Sequence, residues 1–155
     1  YDWNEWDNSD HGTDYISLGD VSGVNSSGND YIAYIWADVP GFSKFGKYVG
    51  TNDSQGKFID CGFRPQLLIL RNNDGGPFFM IDEKRDPGNK ADPHANSDDC
   101  RKLKVDTADA EVVEDSIDLL ANGFQCRHNG SHLNNGSQFS FMAWAHDPFK
   151  TARAR

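Results

Sequence analysis

His128 and His132 stand four residues apart, a spacing that on a helix would put two imidazoles on one face for zinc. Asn129, Gly130 and Ser131 lie between them and favour a turn, so the pair is assigned to a hairpin loop instead of a metal centre. His11, His94 and His146 each lack a neighbouring Ser or Cys with a supporting acid, and nothing local composes a nucleophilic triad. The acids invite calcium, but the run from Asn72 to Pro77 has Gly at the fifth position and Pro at the sixth, which breaks the loop motif. Asp82 to Asp86 alternates in charge with Lys84 and Arg85 and reads as self-neutralising surface pairs, while Asp92, Asp98 and Asp99 read as solvated loop acids. Two carboxylates facing one groove would cleave a polysaccharide, and the candidates for that alternative are Asp82, Glu83, Asp86, Asp98 and Asp99. The chain has neither a G-x-S-x-G elbow nor a phosphate-cradling glycine loop before a helix. Cys61, Cys100 and Cys126 give an odd count without C-x-x-C spacing, so no disulfide framework or zinc cluster is expected. Cys61 and Cys126 lie in strand-like runs and read as small buried apolar groups, a usage suited to assembly in a reducing cytoplasm. The chemistry-bearing residues therefore predict no cofactor, no metal and no enzyme.

The elements that carry these residues follow from composition. A chain of 155 residues fits one domain with one core. Hydrophobic residues make up only 37%, and 15 Gly with many Asn, Asp and Ser signal frequent turns. The apolar residues compensate by size: aromatics are 12% of the chain, and each ring buries roughly 150–250 Å². A formal charge of −9 repels phosphate backbones and anionic lipid, which argues against nucleic acid and membrane surfaces as partners. No apolar run approaches spanning length.

An internal repeat organises the chain. Residues Gly28–Pro40 align without a gap against Gly136–Pro148, with Gly, an aromatic, Trp-Ala and Pro in register, and each copy follows an Asn/Ser/Gly-rich turn. Tyr31 to Ala37 is predicted as one central strand, apolar on both faces. Its counterpart sets Phe139, Phe141, Ala143 and Ala145 opposite Ser140, Met142 and Trp144. The two ribbons are expected to close over each other. Further strands are predicted at Tyr15–Leu18, Val21–Val24, Phe45–Val49, Lys57–Cys61, Gln66–Arg71, Pro77–Asp82, Leu103–Val105 and Gly123–Arg127. Asn72 to Gly76 marks a hairpin between residues 66 and 82, since Asn, Asp and Gly tolerate positive φ. Glu83 to Asp99 reads as a polar surface excursion, and Ala108 to Leu120 is the one candidate helix, an assignment that its acids, Val112, Val113 and Ile117 leave open. The fold class is all-β, an antiparallel β-sandwich-like domain built of hairpins with an internal strand repeat and little or no helix. Residues 1–14 read as a linker or the end of a preceding module, and 15–155 as a single β-domain.

Phe42 to Tyr48, Gly62-Phe-Arg-Pro65, Lys84-Arg-Asp-Pro87, Asn122-Gly-Phe124 and Met142 to Lys150 form an ordered series. From about Tyr15 to Arg155 that series resembles an uncharacterised C-terminal domain of tailed-bacteriophage tail fibres and related virion structural proteins. The resemblance implies a virion protein assembled in the host cytoplasm, a homotrimer within a fibre, and a host cell-surface glycan or protein receptor. It brings no catalytic residues with it, and Gly88 to Ala110 matches it only loosely. The candidate receptor-binding residues are loop residues: Asn73, Asp74, His94, Asp98 and Asp99. The alternatives are a polysaccharide-trimming enzyme domain and a trimerisation cap without an external ligand.

Overall fold

The computed structural model describes residues 14–19, 21–85, 100–113, 117–128 and 132–146. The chain divides into two compact units, Tyr1–Trp36 and Ala37–Arg155. The larger unit is all β. Its strands are β1 (Ser43–Val49), β2 (Phe58–Asp60), β3 (Pro65–Asn72), β4 (Phe79–Asp82), β5 (Arg101–Lys104), β6 (Val112–Val113), β7 (Ile117–Leu120), β8 (Gly123–Cys126) and β9 (Gln138–Ala145). One sheet runs β1-β9-β3-β4-β5-β6 and a smaller one β2-β8-β7, and every described pairing is antiparallel.

β9 is the spine. It pairs with β1 from Ser43↔Trp144 to Val49↔Gln138 and with β3 from Pro65↔Ala145 to Asn72↔Phe139, so its backbone is satisfied on both edges. Phe139, Phe141, Ala143 and Ala145 are buried, whereas Ser140, Met142 and Trp144 are half-buried, as strand alternation requires. The buried face meets the smaller sheet: Phe124 of β8 packs edge-on against Phe141 and Tyr48, and Tyr48 stacks on Phe139. Leu68, Leu70, Phe79, Ile81 and Leu119 complete the core. Each such side chain contributes roughly 1.5–3 kcal/mol by leaving water. Sheet contact also fixes small residues. A Cβ on Gly123 would lie 1.9 Å from the Ile59 carbonyl oxygen, so β2 approaches β8 closely only because that position is glycine.

The hairpin predicted between residues 66 and 82 is present, with β3 and β4 paired from Leu67↔Asp82 to Leu70↔Phe79. Its turn places Gly75 at φ 117° and Gly76 at φ 115°, values that side chains rarely adopt. Cys61, Cys100 and Cys126 are all buried. The candidate helix at Ala108 to Leu120 instead contains β6 and β7; the β-branched Val112, Val113 and Ile117 follow their strand preference.

The first copy of the repeat departs from expectation. Residues 31–37 form no strand, and their side chains are exposed instead of buried on two faces. β1 and β3 hold both edges of the second copy. Tyr15–Leu18 is also without strand structure. Val21–Val24 is not extended: Ser22–Asn25 makes a single helical turn, α1, with Val24 and Asn25 donating to the Val21 carbonyl. Asn25 Nδ2 bonds the Gly19 carbonyl at 3.1 Å, local side-chain chemistry that competes with strand pairing.

Candidate binding site

Because β9 runs antiparallel to both neighbours, the β1 exit, the β3–β4 turn and the β9 entry meet at one end of the larger unit. That pole is rich in amides. Asn73 donates its backbone N–H to the Gln138 carbonyl at 2.9 Å and its Nδ2 to Gln138 Oε1 at 2.9 Å, while Ser140 Oγ donates to Asn73 Oδ1 at 2.8 Å. Asp74 N–H donates to Asn72 Oδ1 at 2.9 Å, which leaves the Asp74 carboxylate on the exposed turn. Arg71 sits with its guanidinium 4.6 Å from the centre of the Phe78 ring.

In the loop that leads into β9 lies Asn134, 1% exposed. Its Oδ1 accepts from Thr51 N–H at 2.9 Å, and its Nδ2 donates to the carbonyls of Asp53 at 2.7 Å and His128 at 2.8 Å. The Asn134 carbonyl accepts from Asn52 N–H at 2.7 Å, and Tyr48 Oη donates to the adjacent Leu133 carbonyl at 2.7 Å. One buried side chain thus ties the β1–β2 loop to its own β8–β9 loop. On the exposed turn, the bonds among Asn73, Gln138 and Ser140 are made before any ligand arrives, which lowers the ordering cost of binding. A cluster of mixed donors and acceptors of this kind suits a hydroxyl-rich ligand.

Two of the five candidate residues, Asn73 and Asp74, lie on this pole; His94, Asp98 and Asp99 lie outside the described residues. Sequence reading did not single out Asn134 or Gln138. Asn134 resembles every other turn asparagine in the chain, and only the loops it gathers distinguish it.

Residues 2–148 match the model of a domain of unknown function, DUF7483, a span that includes both units. The chain belongs to the DUF7483 family. No curated protein and no solved structure matches it.

The opposite pole of the DUF7483 β unit brings together Phe42, Gly62, Arg64, Asn122 and His146 from the ordered sequence series. His146 N–H donates to the Arg64 carbonyl at 2.9 Å, the Asn122 carbonyl accepts from Cys61 at 2.7 Å and Gly62 at 3.0 Å, and Ala145 N–H donates to the Phe42 carbonyl at 2.8 Å. Glu83 sits among them with its side chain 7% exposed, Oε2 2.5 Å from His146 Nδ1 and Oε1 2.8 Å from Lys84 Nζ. Burial pushes the Glu83 carboxyl up, but hydrogen bonds from Lys84 and His146 outweigh it and hold the group below its ordinary value. A general acid for glycoside cleavage needs the opposite shift. Asp82, the other described candidate acid, caps the N–H groups of Lys84 at 3.0 Å and Arg85 at 2.8 Å. Asp118 is the described carboxyl held above its ordinary value, by burial against the pull of Arg127, with which it forms a 2.9 Å ion pair.

A cleft of about 440 Å³ at this pole is lined by Asp38, Ser43, Lys44, Asp60 and Cys61. Lys44 and Asp38 pair across it. Burial pushes the Cys61 thiol up to about 12, which keeps it protonated and unreactive at neutral pH. Among the described residues, no three His, Cys, Asp or Glu side chains come together to hold a metal ion. His132 lies against the Phe79 ring, with ring centres 5.7 Å apart.

Proposed function

We propose that this chain is a structural module of a bacteriophage tail fibre, a distal domain that contributes to host-surface attachment through its amide-rich pole. The observation that carries the attachment half is the exposed, pre-bonded set of Asn73 and Asp74 on the β3–β4 turn and Gln138 at the start of β9. The structural half draws its support from the ordered series of residues given above and from a two-sheet β unit with a continuous aromatic core. The ligand class is a host envelope glycan. Its hydroxyls would exchange hydrogen bonds with the amides and the Asp74 carboxylate, and weak single contacts would gain from presentation in several copies on one fibre.

The test is adsorption of fibres to host cells, with binding of the isolated chain to envelope polysaccharide measured in parallel. The triple substitution Asn73→Ala, Asp74→Ala, Gln138→Ala is expected to reduce both while leaving thermal unfolding of the β unit near its original midpoint. Unchanged adsorption by correctly assembled variant fibres would remove the attachment role and leave an architectural one.

A further inference from the structure

None of the described hydrophobic side chains of the Tyr1–Trp36 unit is buried. Ile32 is 80% exposed, Tyr34 74% and Ile35 70%, and Tyr31, Leu18 and Trp36 are about half exposed. Chains below roughly 40 residues rarely hold a fold without outside help.

The strip from Tyr31 to Trp36 forms no helix, strand or turn and exposes each of its apolar side chains. Among the described residues, no backbone-to-backbone hydrogen bond engages residues 30–35. Its residue types are those of a strand, and its pattern is the one that β9 uses at the centre of a sheet. Beside it lies a groove of about 480 Å³, lined by Ile16, Leu18, Val24, Tyr31, Ile32 and Ile35, large enough for an aromatic side chain. The exposed residues of strip and groove offer on the order of 1,000 Å² of mostly apolar surface, against about 800 Å² per partner in a standard stable interface. The largest apolar patch on a typical monomer is only about 300–600 Å².

We propose that this strip is a self-association surface, on which residues 31–36 of one chain form a β ladder with the same segment of a second copy. The fit to a second copy is chemical. The strip is uncharged within a chain of net charge −9, so a like strip covers it without desolvating charge. Donor and acceptor rows along an extended backbone are self-complementary, and a strip that meets itself gives an isologous interface. Asp30 flanks it, so approach of a second copy is opposed by like charge at that end and favoured by salt. The inference does not depend on the fibre reading.

Sedimentation velocity of the whole chain over a concentration series tests it, beside the double variant Ile32→Glu, Ile35→Glu. The original chain is expected to gain mass with concentration, and more so at high salt. The variant is expected to associate about 100-fold more weakly, since two apolar side chains leave the interface. Both should unfold at the same midpoint, because the strip lies outside the buried core. A chain that stays monomeric throughout would overturn the proposal, as would a variant that associates as well as the original. Loss of the variant's unfolding transition would overturn it too, by showing the strip to be part of its own chain's core.

Discussion

Gly28–Pro40 and Gly136–Pro148 carry one residue pattern and meet two fates. The second copy is β9, bonded on both edges and buried on one face. The first forms no strand, its one described pairing being the single Val39↔Ser43 bridge, and its large side chains are in water. Residue pattern confers competence to be a strand; partners on each edge decide whether the strand exists. β9 has β1 and the β3–β4 hairpin close in space, whereas Tyr31–Trp36 belongs to a unit without a described buried side chain large enough to pack on.

Equivalent substitutions in the two copies should therefore differ sharply. Ala143 and Ile35 are aligned. Ala143→Glu puts a charge between β1 and β3 at a position with no exposure, and should cost about 5 kcal/mol or more, enough to prevent folding of the β unit. Ile35→Glu should leave the unfolding midpoint by circular dichroism unchanged. The next pair is Phe139 and Tyr31. Phe139→Ala empties a fully buried ring site stacked on Tyr48 and should cost about 3–5 kcal/mol in denaturant titration. Tyr31→Ala should cost less than about 1 kcal/mol, chiefly the hydrogen bonds of its hydroxyl to Ser22 and Ser26.

The turns that lead into the copies give a smaller contrast. Asn134→Ala strips partners from buried groups of Thr51, Asp53 and His128 and should cost about 2–4 kcal/mol by urea unfolding. Asn25→Ala removes one partly buried bond to Gly19 and should cost about 1 kcal/mol at most.

The smallest effect concerns the ion pairs that close each copy, Asp38 with Lys44 and His146 with Glu83. Hydrogen bonds hold Glu83 below its unfolded value, so its contribution is complete above the unfolded carboxylate range and disappears as pH falls through the folded value. Glu83→Gln should make the acid side of a melting-temperature profile shallower. Asp38 is lowered by its hydrogen bond to Lys44 but is largely solvated, so Asp38→Asn should change that profile less.

The sequence made some of this legible for physical reasons that can be named. The β3–β4 hairpin was readable because Asn72 to Gly76 has few conformations other than a tight turn. β9 was readable because apolar residues alternate over eight positions between turn signals. The same rule misplaced Tyr31–Ala37, because alternation reports what a segment is able to bury and is silent on whether anything lies beside it. Val21–Val24 was misread because Asn25 bonds back to Gly19 and the Val24 and Asn25 N–H groups close a turn on the Val21 carbonyl, a preference that two valines did not outweigh. Of the candidate site, Asn73 and Asp74 were visible as turn residues. Gln138 and Asn134 were not, since their roles come from loops more than 60 positions away in the chain.

Hydrogen exchange read by mass spectrometry, on the full chain at low and at high concentration, puts the two copies side by side in one experiment. Peptides covering Gln138–Ala145 should be strongly protected under both conditions, and peptides covering Tyr31–Trp36 should exchange quickly when dilute and become protected when concentrated. Strong protection of Tyr31–Trp36 in the dilute monomer would contradict the account, because it would mean that the first copy already has its strand partner within the single chain.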